Sequence, residues 1–547
     1  MEQLTWTGAF APFVAPVLLP ALLVLALGAL GSFAVAFATS AQPVVSATGV
    51  TVTPWRLTAA TTPMEVVLPG AVVGLVIWAA KAIWGAPSLG TALTDMGLPG
   101  WLAGLGVALG FLALGAAAAF VLQRVPGRIY DLMLTVGGLV LLAAILAFAV
   151  ISPFMGLGQA GILGELHKQF LPVWASMIVI FALSIQFRDR LGLYGKLFGS
   201  TIGMVGFGLV LFWALTAIFA GLIVTHDPLS QVSSLKNAAP GSAVPEGTEG
   251  GAFYLLGGDN LARDVFSRMV AGSTVVMQIA PVATLFAFMV GITLGLPAAY
   301  YGGRFDTVLS FVANLILAFP VILLFYLLVT PEIVQTGLPS FMAVILFLFP
   351  LLFFAVLFNS RFYTQPAKQK LYLGATALIG GWLYLSLISQ DRTPVNFWPD
   401  ALDLFDVPAG ILIVFVAVVF VNSPTVFRIV RGIAMDVKTR DYVAAATTRG
   451  EGAWYIMLWE ILPNARGPLI VDFCLRIGYT TILLGTLGFF GLGLPPESPD
   501  WGTTINDGRR LLSIYPHPAI VPAMALLTLV LGLNLLADGL REESLKD

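Results

Sequence analysis

The sequence predicts an all-α, polytopic membrane protein of about 13 transmembrane helices. Of its 547 residues, 58% are hydrophobic and only 10% are charged, and the mean hydropathy is +0.93. Charged side chains are costly in hydrocarbon, so this depletion indicates a chain that crosses the bilayer many times. The apolar residues also fall in runs of the length that a helix needs to span a membrane.

Each long apolar run is predicted to be one span. The predicted spans are Pro12–Phe37, Met64–Trp84, Trp101–Val121, Leu134–Ile151, Leu171–Phe187, Phe198–Val224, Thr274–Tyr301, Val308–Val329, Phe341–Phe358, Leu371–Leu387, Ile411–Val421, Leu469–Phe490 and Ala519–Leu536.

The positions of Lys and Arg predict the orientation of these spans. Cytoplasmic loops carry an excess of both residues, which assigns Arg188–Lys196, Arg361–Lys370 and Arg428–Asn464 to the cytoplasm. Thr225–Ser273 begins with a stretch rich in Pro, Gly, Ser, Ala and Asn and is predicted to lie on the other side. We therefore predict a multi-pass protein of the cell (inner) membrane with a cytoplasmic C-terminus.

Composition and motifs exclude several classes of function. The net charge of −2 gives no reason to expect a nucleic-acid partner, and the single cysteine, Cys474, permits no intramolecular disulfide. His167, His226 and His517 lie far apart, without metal-ligand spacing. The sequence has no GxxxxGK[ST] motif that would cradle the phosphates of ATP. We predict no catalytic residue, no metal and no cofactor bound by this chain.

The stretch Asp441–Asn464 is a polar interruption between two apolar runs. Its alanines favour a helix, Gly450 favours a turn or a close approach of another backbone, and Pro463 is expected to end a second helix that begins at Ala453. The stretch is therefore predicted to be a short helix, a glycine turn and a second helix on the cytoplasmic face. The simpler interpretation is an ordinary helical loop.

This stretch resembles the cytoplasmic signature of the permease subunits of binding-protein-dependent ABC importers. That signature reads Glu-Ala-Ala, three residues, Gly, about nine residues, and Ile-Leu-Pro. The positions that fall on it are Ala444, Ala445, Ala446, Gly450, Ile461, Leu462 and Pro463. The resemblance implies a coupling loop that docks in a cleft of an ATPase subunit. Ala444 replaces the Glu of the family, so one charged contact of that docking is missing.

A second polar stretch, Gly257–Ser273, precedes the span at Thr274–Tyr301. It is predicted to be an amphipathic helix at the membrane interface, and the simpler interpretation is a surface helix with its charges in water. It also resembles the Gly-Thr-Asp, Gly-Arg-Asp, Ser-Arg, Gly signature of the C-type permeases of dipeptide and oligopeptide importers. Gly258 and Ala262 depart from that signature at its Thr and its second Gly. The matching residues are Asp259, Arg263, Asp264, Ser267, Arg268 and Gly272.

Further matches to this family define the predicted domains. They include Gly493-Leu494, Trp501-Gly502, Gly508-Arg509 and the stretch Asn534–Arg541. The resemblance covers residues 198–547, apart from an inserted helix pair at about 335–405, which we interpret as a lipid-facing insertion without a role in transport. Residues 1–197 have no counterpart in the family pattern and are predicted to form an accessory region of about five helices.

The resemblance implies a function and a set of partners. It implies the permease subunit of an ABC importer, for dipeptides or oligopeptides, that forms half of the translocation pathway. The implied partners are a second homologous permease, two ATP-binding cassette subunits that hydrolyse ATP, and an extracytoplasmic substrate-binding protein. The alternative is an ion-coupled secondary transporter, for which the apolar runs contain few paired charges. A membrane-embedded enzyme would need a cluster of His, Asp, Glu or Cys at membrane depth, and the sequence provides none.

Overall fold

The computed structural model describes residues 3–11, 44–45, 51–52, 127–388, 399, 402, 409–492 and 498–544. The predicted spans Pro12–Phe37, Met64–Trp84 and Trp101–Val121 lie outside these residues. The chain divides into two compact units. One consists of Thr5–Lys168, and the other consists of Met1–Leu4 together with Gln169–Asp547.

The smaller unit contains the predicted span Leu134–Ile151, which lies within the helix α1, Gly127–Ile151. A two-stranded antiparallel sheet pairs β1, Val44–Val45, with β2, Thr51–Val52. The helix α2, Gly161–Gln169, follows α1. The Glu165 carboxylate accepts hydrogen bonds from the backbone N–H of Gly158 at 2.8 Å and from the Lys168 ammonium at 2.9 Å.

The larger unit is almost entirely helical. Its only described strands are β3, Ser242–Ala243, and β4, Phe253–Tyr254, which pair antiparallel in the loop before the longest helix. The helices are α3 Leu171–Gln186, α4 Gly192–Lys196, α5 Thr201–Ile218, α6 Ala220–Ile223, α7 Val265–Tyr301, α8 Gly303–Leu317, α9 Val321–Val329, α10 Pro331–Gln335, α11 Leu338–Leu346, α12 Leu348–Arg361, α13 Pro366–Ala375, α14 Gly381–Ile388, α15 Ala409–Val437, α16 Asp441–Thr448, α17 Ala453–Tyr455, α18 Leu462–Asn464, α19 Arg466–Phe489, α20 Trp501–Arg509 and α21 His517–Ser544.

The described residues include seven helices that are long and apolar enough to cross a membrane, or up to nine when each of two bent helix pairs counts as one span. The all-α membrane fold predicted from composition is thereby confirmed. Each predicted span from Leu171 onward falls on one or more of these helices, whereas Leu134–Ile151 falls on α1, which is not among them. The three spans outside the described residues remain predictions.

One predicted span is not a single straight helix. Val308–Val329 was expected to cross the membrane as one helix, but α8 and α9 meet at an angle of 83°. The break falls at Phe319-Pro320, where Pro320 has ψ 121° and precedes α9. Proline has no N–H to donate and disfavours a helical conformation of the residue before it, so the helix ends and restarts here.

Residues 169–197 pack within the larger unit. Phe181 on α3 contacts Phe198 edge to face at 5.9 Å between ring centroids, and it also lies 5.4 Å from Phe207 on α5. The larger unit therefore begins before residue 198, where the permease domain was predicted to start. The accessory role of residues 1–197 stays a prediction.

Glycines allow the core helices of the larger unit to approach closely. A Cβ at Gly206 on α5 would lie 2.3 Å from the backbone nitrogen of Leu536 on α21, and one at Gly291 on α7 would lie 2.5 Å from a methyl group of Val426 on α15. Neither position admits a larger side chain without movement of the helices. Small residues of this kind are typical of helix interfaces in membranes, where packing drives association.

Candidate coupling loop and buried charge cluster

The predicted coupling loop begins with the helix α16, Asp441–Thr448. Asp441 lies in its first turn, where a negative charge is favourable next to the helix dipole. Ala446 is buried, whereas Ala444 and Ala445 are exposed. The position that carries Glu in the family signature, Ala444, thus faces away from the chain and is free to meet a partner.

Gly450 ends α16 in a left-handed conformation with φ 81°. Its N–H donates to the carbonyl of Thr447 at 3.0 Å, and the N–H of Glu451 donates to the carbonyl of Ala446 at 3.2 Å. These two bonds satisfy carbonyls that the end of a helix leaves free, and glycine adopts the required φ without steric cost. Apart from its immediate neighbours, no atom of the described residues would lie within 4 Å of a Cβ at Gly450. Space is therefore available around the turn.

The second half of the loop differs from the prediction. Pro463 was expected to end a helix begun at Ala453, but the helical path continues through α18 into α19. Between α17 and α18 the backbone forms wide π turns over Ile456–Ile461. A proline ring normally clashes with the carbonyl four residues earlier, and a π turn displaces that carbonyl. Of the signature residues here, Ile461 is buried, Leu462 is half-buried and Pro463 is exposed.

The inner face of the loop packs on the core helices α7 and α15. Val443 and Ala446 of α16, together with Ile456, Met457 and Ile461 of the π turns, are buried. They form one apolar cluster with α7 and α15, whose contributing residues are Phe288, Leu296, Ala299, Val426, Val430, Ala434 and Val437. Burial of about five side chains of this size contributes several kcal/mol in water-facing parts of a fold. The loop is therefore packed as part of the core.

Two basic side chains fix the base of the loop. Lys438, just after α15, donates to the carbonyl of Ala299 near the end of α7 at 2.6 Å. Arg431 on α15 forms a bidentate pair with Asp306 on α8, and its Nη2 lies 2.6 Å from Oδ2. In the sequence analysis, these cations served only to assign the loop to the cytoplasm. In the structure they also connect α15 to α7 and α8.

The inserted helix pair contacts the loop. The indole N–H of Trp459 donates to the Ser360 hydroxyl at 3.2 Å, and the Arg361 guanidinium lies 4.6 Å from the centroid of the Trp459 ring. Phe353, Val356 and Leu357 of α12 pack against the same apolar cluster as the loop. The insertion is thus not purely lipid-facing, as the sequence interpretation held, because one end of it rests on the loop.

The second predicted site, Gly257–Ser273, is not an amphipathic surface helix. Residues before Asp264 form turns with an isolated bridge between Gly258 and Asp264, and α7 starts only at Val265. The polar residues of the signature are not in water: Asp259, Arg263, Asp264, Ser267 and Arg268 are each at most 3% exposed. The prediction failed because these charges find partners within the fold and do not need solvent.

The centre of this buried charge cluster is Asp259. One of its carboxylate oxygens accepts the backbone N–H groups of Leu261 and Arg263 at 2.8 and 2.9 Å. The other accepts Nε of Arg263 at 2.6 Å and lies 3.9 Å from Nε of Arg268. Arg263 also donates to Asp507 on α20 at 2.7 Å. Buried charges with several hydrogen-bonded partners are stable, although each would be costly alone.

Arg268 and Gly272 join α7 to α20. Arg268 donates to the Ser498 carbonyl at 3.0 Å and to the Thr504 hydroxyl at 3.2 Å. The indole N–H of Trp501 donates to the carbonyl of Met269 at 2.8 Å. A Cβ at Gly272 would lie 2.5 Å from the Trp501 ring, so the signature glycine is required for this contact.

Asp264 caps α7 and holds the preceding loop. Its carboxylate accepts the N–H groups of Phe266 and Ser267 and the hydroxyl groups of Ser267 at 2.5 Å and Thr225 at 3.1 Å. Burial and the carboxylates of Asp264 and Asp259 raise the pKa of Tyr254 to about 12. The protonated phenol donates a hydrogen bond to the Ala262 carbonyl at 3.3 Å.

Sequence reasoning missed several members of the charge cluster. Asp507, Asp500, Thr504 and His226 were not identified as site residues, although Trp501 and Gly508 nearby were among the family matches. Asp500 caps α20 by accepting the N–H of Thr503 at 3.0 Å, and burial raises its pKa. The one available signal was the rarity of acids, because Asp500 and Asp507 lie within a short stretch of a chain with only 10% charged residues.

Ala262, the residue at the second Gly of the signature, has φ 63°. A left-handed conformation costs an alanine roughly 1–2 kcal/mol that glycine avoids, and part of this gain is offset by the larger entropy of glycine in the unfolded chain. We expect Ala262→Gly to stabilise the protein by about 0.5–1 kcal/mol. An increase in the melting temperature of the detergent-purified protein would show it. The control Ala243→Gly, in a strand, should lower that temperature, and a decrease for Ala262→Gly as well would contradict the explanation.

The two predicted sets of residues lie at opposite ends of α7. Asp264 caps the first turn of this helix, while the coupling loop belongs to the apolar cluster that includes Leu296 and Ala299 in its last turns. A bundle of long apolar helices, with an ordered charge cluster at one end of α7 and a helical loop packed at the other, defines an integral membrane protein.

Residues 291–542 match the family described as binding-protein-dependent transport system inner membrane component. The match covers just under half of the chain. It contains the coupling loop and α20, and it starts within α7.

Curated relatives extend the similarity. The chain is 29% identical over 289 residues to the glutathione transport system permease protein of Pectobacterium atrosepticum, which covers 53% of this chain and 71% of the relative. It is 28% identical over 345 residues to the dipeptide transport system permease protein of Haemophilus influenzae, with 63% and 89% covered. The corresponding protein of Alkalihalophilus pseudofirmus is 26% identical over 341 residues, with 62% and 84% covered. The chain is a multi-pass membrane protein of the inner-membrane permease type.

Proposed function

We propose that this chain is the permease subunit of a binding-protein-dependent importer and forms half of its translocation pathway. The observation that carries the proposal is the packing of the loop Asp441–Asn464 on α7 and α15. A force applied to the exposed face of α16 reaches two core helices directly through this apolar contact. The loop thus has the position that coupling to an external motor requires.

Short peptides are the proposed substrates. Two of the relatives are named for dipeptide transport and one for glutathione, itself a tripeptide. Each of these alignments spans more than two thirds of the relative. We expect the substrate pathway to be completed by a second, homologous permease subunit.

ATP hydrolysis is assigned to separate subunits. The chain has no Walker-type phosphate loop in its sequence and binds no cofactor in this proposal. Two ATP-binding cassette subunits would dock on the cytoplasmic loop, at the exposed Ala444, Ala445 and Gly450. An extracytoplasmic binding protein would deliver the substrate at the other end of α7. The family model and the relatives give no support to an ion-coupled secondary transporter.

Copurification tests the proposal. A tag after Asp547 should isolate the chain together with ATP-binding subunits and a second permease, and peptides should stimulate ATP hydrolysis by the isolated complex. Isolation of the folded chain without any ATPase, with uptake in vesicles that depends on an ion gradient and not on ATP, would instead establish the secondary transporter.

Cysteine labelling tests the proposed orientation. In a Cys474→Ser background, a cysteine at the exposed Ala367 should stay unlabelled by an impermeant maleimide in intact cells, because the cations of its loop place it in the cytoplasm. A cysteine at the exposed Ser234 should be labelled. Labelling of a cysteine at residue 367 from outside the cell would show that the inserted helix pair has the opposite orientation to the one predicted.

A further inference from the structure

A cavity of about 960 Å³ lies between the inserted helix pair and the core of the larger unit. Its core wall includes Phe286 of α7 and Phe415 of α15, which contact each other edge to face at 5.3 Å. The inserted pair supplies the opposite wall through one face of α12 and one face of α13–α14. The cavity therefore exists only because the insertion does.

The cavity extends along much of the inserted pair. Its lining on the returning helix extends from Tyr372 to Leu387, a distance of about 22 Å along a helix. Midway, wide π turns over Thr376–Gly380 interrupt this helix, and Thr376 and Gly380 line the cavity there. π turns are rare and often occur at functional sites. One leaflet of a bilayer has a hydrocarbon depth of about 15 Å, so the cavity can hold one lipid chain along its length.

The interior of the cavity favours an apolar occupant. The Tyr384 hydroxyl donates to the Val344 carbonyl at 2.8 Å, and the Thr376 hydroxyl donates to the Tyr372 carbonyl at 2.8 Å. These polar groups need no bond from a ligand. Of the described candidate spans, the two that form the inserted pair are the least buried within the described part of the chain, which leaves most of their outer side uncovered by it.

One end of the cavity is positively charged. Lys368 lies four residues before Tyr372, so the two share one face of α13, and Thr376 follows four residues later at the start of the π turns. Lys368 and Lys370 are exposed, and neither forms a salt bridge within the described part of the chain. The sequence from Ile333 to Gln390 contains Arg361, Lys368 and Lys370 but no acidic residue. A negative charge at this end would meet cations without any competing carboxylate nearby in the sequence.

We propose that this cavity binds an anionic phospholipid, with one acyl chain between the inserted pair and the core and the phosphate group beside Lys368. Mostly apolar pockets of this size with a few charged groups at the mouth are typical ligand sites. Basic pockets between transmembrane helices bind anionic head groups in the same manner. The lipid lies against the face of α12 that lines the cavity. The C-terminal end of α12 contacts Trp459 of the coupling loop through Ser360.

Lipid titration of the full-length chain in detergent, followed by native mass spectrometry, tests the assignment. The probes are dioleoyl phosphatidylglycerol and dioleoyl phosphatidylcholine, which have the same chains and differ in head-group charge. The wild type should retain one phosphatidylglycerol more tightly than phosphatidylcholine. Lys368→Gln/Lys370→Gln should weaken phosphatidylglycerol binding by about tenfold or more and leave phosphatidylcholine unchanged.

Two variants complete the experiment. Ala375→Phe/Thr376→Phe fills the cavity and should abolish specific retention of phosphatidylglycerol, while a thermal melt confirms that the variant is folded. Arg188→Gln/Arg190→Gln removes two exposed cations from a different loop and should bind as the wild type does. Equal retention of both lipids by the wild type would overturn the assignment of an anionic ligand. Unchanged phosphatidylglycerol binding by the folded, filled variant would place the lipid elsewhere.

Discussion

Gly450→Trp should abolish peptide-stimulated ATP hydrolysis by the assembled complex while the chain still inserts and folds. Gly450 ends α16 on the exposed side of the loop, and apart from its neighbours no described residue has an atom within 4 Å of the Cβ that a substitution would add. A bulky side chain therefore meets no obstacle in the permease itself, and it projects toward the surface that an ATPase would occupy. ATPase activity of the reconstituted complex is the measurement.

Gly450→Ala separates the steric effect from the backbone effect. Both variants place a Cβ on a residue with φ 81°, which costs roughly 1–2 kcal/mol, but only tryptophan adds bulk. We expect Gly450→Ala to retain most of the stimulated activity. Wild-type activity in Gly450→Trp would refute the assignment of the loop. Ala444→Glu, which restores the charged residue of the family signature on the exposed face, should preserve or strengthen coupling.

Arg263→Met should destabilise the protein by about 3–5 kcal/mol, because it leaves a buried carboxylate without its main partner. The Arg263 side chain is 4% exposed and that of Asp259 is 1% exposed, while Asp507, the other partner, is 28% exposed. The melting temperature of the purified protein should fall sharply. The double variant Arg263→Met/Asp259→Asn should recover part of the lost stability, because the buried Asp259 carboxylate that the single variant leaves without its partner is then absent.

A surface arginine provides the matched control for this prediction. Arg440 pairs with Asp436 at 3.3 Å, but both side chains are more than half exposed. Arg440→Met should change stability little, because exposed ion pairs contribute about 0–1 kcal/mol. If Arg263→Met melts at the same temperature as Arg440→Met, the cluster at Asp259 does not stabilise the fold.

The parts of the structure that depend on local sequence were predictable. The lengths of the apolar runs predicted the membrane helices. The alanines followed by a glycine predicted α16 and its end at Gly450. Three consecutive alanines do not reveal which face of a helix is buried, so the outward position of Ala444 required the structure. The prediction that Pro463 ends the second helix was wrong for a related reason. The π turns that accommodate this proline have no local sequence signal.

The contacts of the charge cluster with α20 were not predictable, because the residues that they join are distant in sequence. Arg263 and Asp507, which are hydrogen-bonded, lie 244 residues apart along the chain. From the local pattern alone, polar residues before an apolar run are equally consistent with a surface helix. Only the folded chain shows that the segment before α7 and the helix α20 bury each other's charges.

The helix α7 links these observations mechanically. Its 37 residues make a rod of about 55 Å, nearly twice the roughly 30 Å of the hydrocarbon layer. One end is clamped by Asp264 in the charge cluster, and the other holds Lys438 at the base of the coupling loop. A rotation of such a rod by about 5° around its midpoint displaces each end by about 2 Å in opposite directions. A small push on one side of the membrane is thus sufficient to break or form hydrogen bonds on the other, unless the helix yields at Pro281 or Pro297.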